Sequence, residues 1–213
     1  MVSTMVGSRH EHRHVFDFLA GRLAIDFVNT VSGKRQLAPI ERLNDYGDVL
    51  SWAEQIGIAS AARTKALRRI AREHPRQAEA ALARAKELRE SLFRIFSAVA
   101  AHEPASSADL ELLNRELTEA FSHLRLAESP DGFAWSFSDD ESLVSVLWPV
   151  TRSAADVLMK DDPARVRRCE APDGCGWLFY DETRNATRRW CSMKDCGNRA
   201  KARRHYAKSK ETD

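Results

Sequence analysis

Cys169-Glu170-Ala171-Pro172-Asp173-Gly174-Cys175 and, further along, Cys191-Ser192-Met193-Lys194-Asp195-Cys196 hold every cysteine of a 213-residue chain within 28 consecutive positions. Two short-spaced pairs on separate turns are a common way to supply the four deprotonated sulfurs of a closed tetrahedral zinc site. The first gap, five residues, is wider than the familiar two to four, but Pro172-Asp173-Gly174 is turn chemistry that folds two sulfurs back onto one ion. The competing uses are buried free thiols and disulfides, for which four cysteines allow three connectivities. Clustering and a reducing compartment argue against both, and the spacings match neither common ferredoxin pattern. The expected cofactor is Zn²⁺ on Cys169, Cys175, Cys191 and Cys196. Four protein ligands leave no open position for metal catalysis.

Between the pairs, Trp177-Leu178-Phe179-Tyr180 and Arg188-Arg189-Trp190 read as two strands joined by the polar loop 181–187. After Cys196 the chain becomes Gly197-Asn198-Arg199-Ala200-Lys201-Ala202-Arg203-Arg204, continuing to Lys210 as a basic helix with Ala200, Tyr206 and Ala207 turned to the hairpin. Knuckle, hairpin and helix around one ion make a treble clef. Residues 165–213 carry thirteen Lys and Arg against seven Asp and Glu, a net of +6, whereas the whole chain is only +2. That asymmetry is expected when one segment contacts a polyanion. Arg199 and Arg203 fall one turn apart, Lys201 and Arg204 lie on flanking rows, and Arg188 and Arg189 extend the surface, so these six are the expected nucleic-acid contacts. Asn198 is read as capping the helix by accepting backbone N–H bonds, with contact to a base as the alternative.

Upstream, helical periodicity dominates from about Asn44 to Met159. Tyr46, Val49, Leu50, Ala53 and Ile56 share a face of a helix capped by Asn44 or Asp45 and ended by Gly57. After Pro75 the stripe is Ala81, Ala85, Leu88, Leu92, Ile95 and Val99, with Glu90 able to pair with Arg94. Ser106 with Asp109 suggests a capping box before Leu110, Leu113, Leu117 and Phe121. Leu124–Leu126 and Phe133–Phe137 flank the turn Ser129-Pro130-Asp131-Gly132, a hairpin. A last helix is expected from about Asp140, broken or kinked by Pro149. Trp52 and Trp148 are read as core aromatics.

Phe16–Arg22 looks like a strand ending in a turn, and Leu23–Thr30 fits helix or strand equally. Asp26, Asn29 and Thr30 are polar residues inside that apolar stretch, so they are candidate ligand-binding residues or merely capping and turn groups. The expected organisation is a disordered arm over 1–14, a mostly helical domain over 15–162, and a zinc module over 163–213. The fold class is mainly α with small β-hairpins (α+β). No apolar run reaches signal-peptide or membrane-span length, and a cytoplasmic protein is expected.

Cys196-Gly197-Asn198-Arg199, with Arg189-Trp190-Cys191-Ser192-Met193 before it and Ala200–Arg204 after it, resembles the CGNR zinc-finger family. Leu23–Thr30 together with Trp148-Pro149-Val150 resembles the ABATE domain that accompanies this finger in bacterial proteins described as stress-induced transcription regulators. The resemblance implies a treble-clef finger binding double-stranded DNA, metal ligands at the four cysteines, and an N-terminal domain sensing an unknown small molecule. A homodimer is expected because one short finger is a weak reader. Two other classes compete: a zinc-shaped protein-interaction adaptor, and an enzyme using the region around Asp26. The second lacks any recognisable catalytic motif, and the chain is read as a non-enzyme.

Overall fold

The protein is described from a computed structural model covering residues 14–35, 37–138 and 141–210. The expected arm over 1–14, with His10 and His12, therefore lies outside the described residues apart from His14. The longest helix, α4 (Pro75–Ala100), opens on Pro75, whose missing N–H costs nothing at a helix start. The stripe of Ala81, Ala85, Leu88, Leu92 and Ile95 is buried as its spacing predicts, joined by Phe96. Against α4 pack α1 (Leu23–Val28), α2 (Tyr46–Gln55), α3 (Ala61–Glu73) and α5 (Ser107–Ser122). The capping box of α2 forms between Asp45 and Asp48, and Gly57 (φ +83) follows its end. Trp52 and Trp148 are core residues; the Phe27 ring meets Trp52 edge-on at 5.0 Å, and His123 stacks on Trp148 at 3.9 Å.

The segment that periodicity left open, Leu23–Val28, is helical. Ala24 through Val28 are all buried, so no polar face reveals the period. Several expectations are corrected. Residues 16–22 form no strand; Ala20 instead receives Tyr180 N–H at its carbonyl (2.7 Å) and donates its own N–H to Asp26 Oδ1 (3.0 Å). Ser106 makes no side-chain cap, the Asp109 carboxylate is held by Arg94 (2.5 Å) instead of reaching back to it, and Glu90 pairs with Arg35 and Arg89 rather than Arg94. The buried side of α5 is Leu112, Leu113 and Ala120, leaving Leu110 and Phe121 largely exposed. Pro149 does not kink a long helix. A 3₁₀ turn (Ser145–Leu147) leads into α6 (Trp148–Met159), and Pro149 sits in its first turn, where no N–H is needed.

Two antiparallel hairpins, β1–β2 (Val31–Lys34, Ala38–Glu41) and β3–β4 (Leu124–Ser129, Gly132–Phe137), flank the helices. A third, in the cysteine region, pairs β5 (Val166–Arg168) with β6 (Leu178–Tyr180). The partner expected for β6, residues 188–190, joins no ladder. The edge of β6 that β5 leaves open is taken by Asn29, bonded to Leu178 N and O, and by Ala20 O, which accepts Tyr180 N–H, while the fully buried Asp181 holds the following turn by accepting from Thr183 N, Thr183 Oγ1 and Arg188 N. Leu178, Phe179, Tyr180 and the cysteines share one apolar cluster with Ile25, Phe27 and Leu88, so the cysteine region packs on the helices rather than hanging from them. α7 (Asn198–Lys210) is the exception: Ala200 in its first turn is buried, and Lys201 through Ala207 are exposed.

Candidate metal centre and basic helix

Four cysteines that local turns fold back together arrive at one point. Their sulfurs all lie within 4.8 Å of one another and all four residues are buried. Cys191 Sγ stands 3.7 Å from Cys175 Sγ and 3.6 Å from Cys196 Sγ. Four sulfurs about 2.3 Å from one tetrahedral ion are separated by about 3.8 Å, so this geometry fits a metal ion. Hydrogen bonds from Cys175 and Cys191 hold the Cys169 thiol well below its usual range, its hydrogen bond to Cys169 drives Cys191 up, and burial pushes Cys196 up to about 12. Four thiolates this close repel one another, and a divalent cation is what lets all four ionise together.

Each residue of Cys196-Gly197-Asn198-Arg199 has a local task. A five-residue π-helical turn, Met193–Gly197, is capped by Ser192, whose side chain accepts from Asp195 N (3.2 Å). A Cβ on Gly197 would lie 3.0 Å from Met193 Sδ, so only glycine passes under that thioether without a shift. Asn198 does not accept N–H bonds as expected; it donates Nδ2–H to Lys194 O (2.9 Å), tying the first turn of α7 to the π turn. Arg199 donates to Cys196 Sγ (3.0 Å) and to Asp173 Oδ2 (2.8 Å), clamping the second cysteine pair to the first knuckle. A donor on a sulfur steadies a ligand set from its second layer.

The six expected contact residues divide into two groups. Arg188 is built into the module: it donates to Leu19 O (2.9 Å), Trp190 O (3.0 Å) and Cys191 O, and its guanidinium lies over the Phe179 ring at 4.4 Å. Arg199 clamps the cysteines, and Arg189 is paired with Glu170 (2.6 Å) at the surface. Lys201, Arg203 and Arg204 are exposed and pair with no acid among the described residues. Nor does Tyr206 face the hairpin, being 69% exposed; within the first turns of α7 only Ala200 is buried.

Comparison with known families agrees with both halves of this architecture. Residues 21–161 match the model described as "Putative stress-induced transcription regulator", ABATE, and residues 165–209 match the CGNR zinc finger. The chain belongs to the ABATE family. A search of curated proteins finds no match. Among the described residues no helix is long and apolar enough to cross a membrane.

Within the ABATE region, Asp26, Asn29 and Thr30 sit together but are bonded to protein. Asn29 donates Nδ2–H to Leu178 O (2.8 Å) and accepts Leu178 N–H (3.2 Å), a two-point bracket on strand β6. Thr30 Oγ1 donates to Phe27 O (2.8 Å), and Asp26 accepts from Ala20 N. The space beside them is about 20 Å³, enough for about one water. The residues expected to hold a small molecule also form the joint between ABATE helix and finger. Nothing in the local sequence of Asn29 shows this, because its partner lies 149 residues away. Further joints that the sequence did not reveal are Trp177 Nε1–H to Val31 O (2.9 Å) and the Arg35 backbone N–H to Cys175 O (3.5 Å).

Burial pushes the Asp26 carboxyl up to about 6, against the opposing pull of the Ala20 and Leu19 N–H groups and Arg188. The folded state therefore binds this proton more tightly than the unfolded chain. Its contribution to stability is full below about pH 4 and is lost as pH rises through about 6. The shift corresponds to about 3 kcal/mol. Relative to Asp26→Asn, the wild type should lose about that much unfolding free energy between about pH 4 and pH 7. Denaturant titrations at several pH values check it, and parallel curves for the two proteins would refute it.

Proposed function

We propose that the chain is a zinc-dependent, DNA-binding transcription regulator, with Cys169, Cys175, Cys191 and Cys196 holding one Zn²⁺ and α7 as the DNA-contacting element. Soft thiolates in a closed tetrahedral set favour zinc over hard cations. The observation that carries the DNA reading is α7 itself: beyond its first turn Lys201 through Ala207 are exposed, and Lys201, Arg203 and Arg204 pair with no acid among the described residues. A helix polar all round gains nothing from packing on its own protein. With side chains it is about 10–12 Å across, the width of the B-DNA major groove. Lys201 and Arg204, three residues apart, share one side and Arg203 lies on another, so bases face both groove walls. Arg189 and its surface partner Glu170 stand ready for exchange with a phosphate, whereas Arg188 and Arg199 act by holding the helix in place. A two-fold dimer, presenting α7 twice, fits the same reading.

Salt titration of the zinc-loaded protein against duplex DNA tests this. Three or four neutralised phosphates give a slope of log affinity against log salt of about −3 to −4, and replacing Arg203 and Arg204 together by alanine should reduce it by about two. If that variant holds zinc and binds DNA with an unchanged slope, α7 is not the contact surface. An adaptor for an acidic protein would show little affinity for duplex DNA even at low salt.

A further inference from the structure

The β3–β4 hairpin reaches past the helices. Its root is anchored where the Phe137 ring lies 6.0 Å from that of Trp148, whereas Gly132 through Ser136 are all exposed. The register sets Leu126 opposite Trp135 and Glu128 opposite Phe133. Opposed residues, and residues two apart on one strand, share a face. Leu126, Phe133 and Trp135 therefore continue the face that starts at Phe137, and they are 63%, 72% and 55% exposed. The other face sets Ala127 opposite Ala134 and Arg125 opposite Ser136, all small or polar.

At about 200 Å² for each large side chain, the apolar face leaves about 400 Å² in water. A patch of that size on one chain is often functional. Its chemistry narrows the partner. Glu128 and Asp131 at the hairpin tip repel nucleic acid and anionic lipid, and the rest of the face offers no charge to select a charged protein. The area fits a second copy. A standard interface buries about 800 Å² per partner, of which about 56–58% is apolar, or about 450 Å². Two identical apolar faces supply that share without any complementary group, because a two-fold contact sets one patch against itself. A two-stranded sheet is also marginal by itself, and packing two of them face to face, about 10 Å apart, gives each the covered side it lacks.

We propose that the chain forms a two-fold homodimer in which the β3–β4 hairpins pack face to face through Leu126, Phe133 and Trp135. This gives a surface to the dimer that the DNA-binding reading calls for, and it rests on that reading for its consequence, the presentation of α7 twice to one duplex.

Sedimentation equilibrium of the full-length zinc-loaded protein without DNA tests the dimer, so its failure is distinguishable from failure of α7 as a DNA contact. Wild type should have twice the mass of one chain at about 50 μM and dissociate on dilution with a Kd of about 10 μM or below. Phe133→Glu and Trp135→Glu should each weaken the dimer by at least about hundredfold, since each change enters the interface twice and one buried aromatic anchor is worth about thirtyfold or more. Ala134→Glu places the same new charge on the opposite face of the same strand and should stay within about threefold of wild type. An effect of Ala134→Glu equal to those of the other two would mean that the charge merely loosens the hairpin, and overturns the proposal. So does a dimer that both face variants leave unchanged, or a wild type that is monomeric at about 100 μM, including one that floats with phosphatidylcholine vesicles instead.

Discussion

Replacing Cys196 or Cys191 by serine should abolish stoichiometric metal retention and unfold the segment from Val166 to Lys210. The free energy of a structural zinc site is about 10–16 kcal/mol, most of it realised as folding, and loss of one thiolate of four forfeits several kcal/mol of that. Such a loss is a large share of the about 5–15 kcal/mol by which domains are stable. The damage should spread, because Leu178, Phe179 and Tyr180 lie in the same apolar cluster as Ile25, Phe27 and Leu88. When the finger releases β6, the ABATE helices lose part of their core. Metal analysis after gel filtration, beside a thermal melt, measures both effects. A variant with one equivalent of zinc and a wild-type melt would show that the cluster is not a structural metal site.

Asn29→Ala should destabilise the protein by about 2–6 kcal/mol, because it strips partners from two backbone groups of buried Leu178 at once. An alanine restores neither donor nor acceptor, and the cavity of about 20 Å³ nearby admits at most about one water in compensation. Zinc content should stay at one equivalent, since the side-chain hydrogen bonds of Asn29 go to Leu178 and not to a cysteine. Denaturant unfolding read by fluorescence gives the stability change, and a shift below about 0.5 kcal/mol would mean that the bracket does little. Taken with the cysteine variants, this separates assembly of the finger from its attachment to the helices.

Much of the candidate site was legible because its signals are short-range. Cys169 and Cys175, or Cys191 and Cys196, lie one turn apart, and turn residues such as Pro172-Asp173-Gly174 bring them together without help from distant chain. The stripe on α4 was legible for the same kind of reason: burial on one side of a regular helix writes its period into the sequence. Where burial is complete the period disappears, which is why Leu23–Val28 stayed ambiguous. The α5 stripe was placed correctly at Leu113 but wrongly at Leu110 and Phe121, because these satisfy the helical period as well as Leu112 and Ala120 do, and only the neighbouring elements choose between faces.

The sequence by itself determined the four-cysteine cluster, the helices α2, α4 and α5, the β3–β4 hairpin, and the concentration of basic residues after Cys196. The tertiary structure alone decided which of those bases remain available. Arg188, Arg199 and Arg203 are chemically identical, yet Leu19 O holds the first, Asp173 the second, and no acid among the described residues the third. It also decided that β6 pairs with β5 and that Asn29 joins α1 to β6. These outcomes depend on partners tens to more than a hundred residues away. Such partners are selected when apolar surfaces pack together, and no local spacing, turn or charge pattern records that selection.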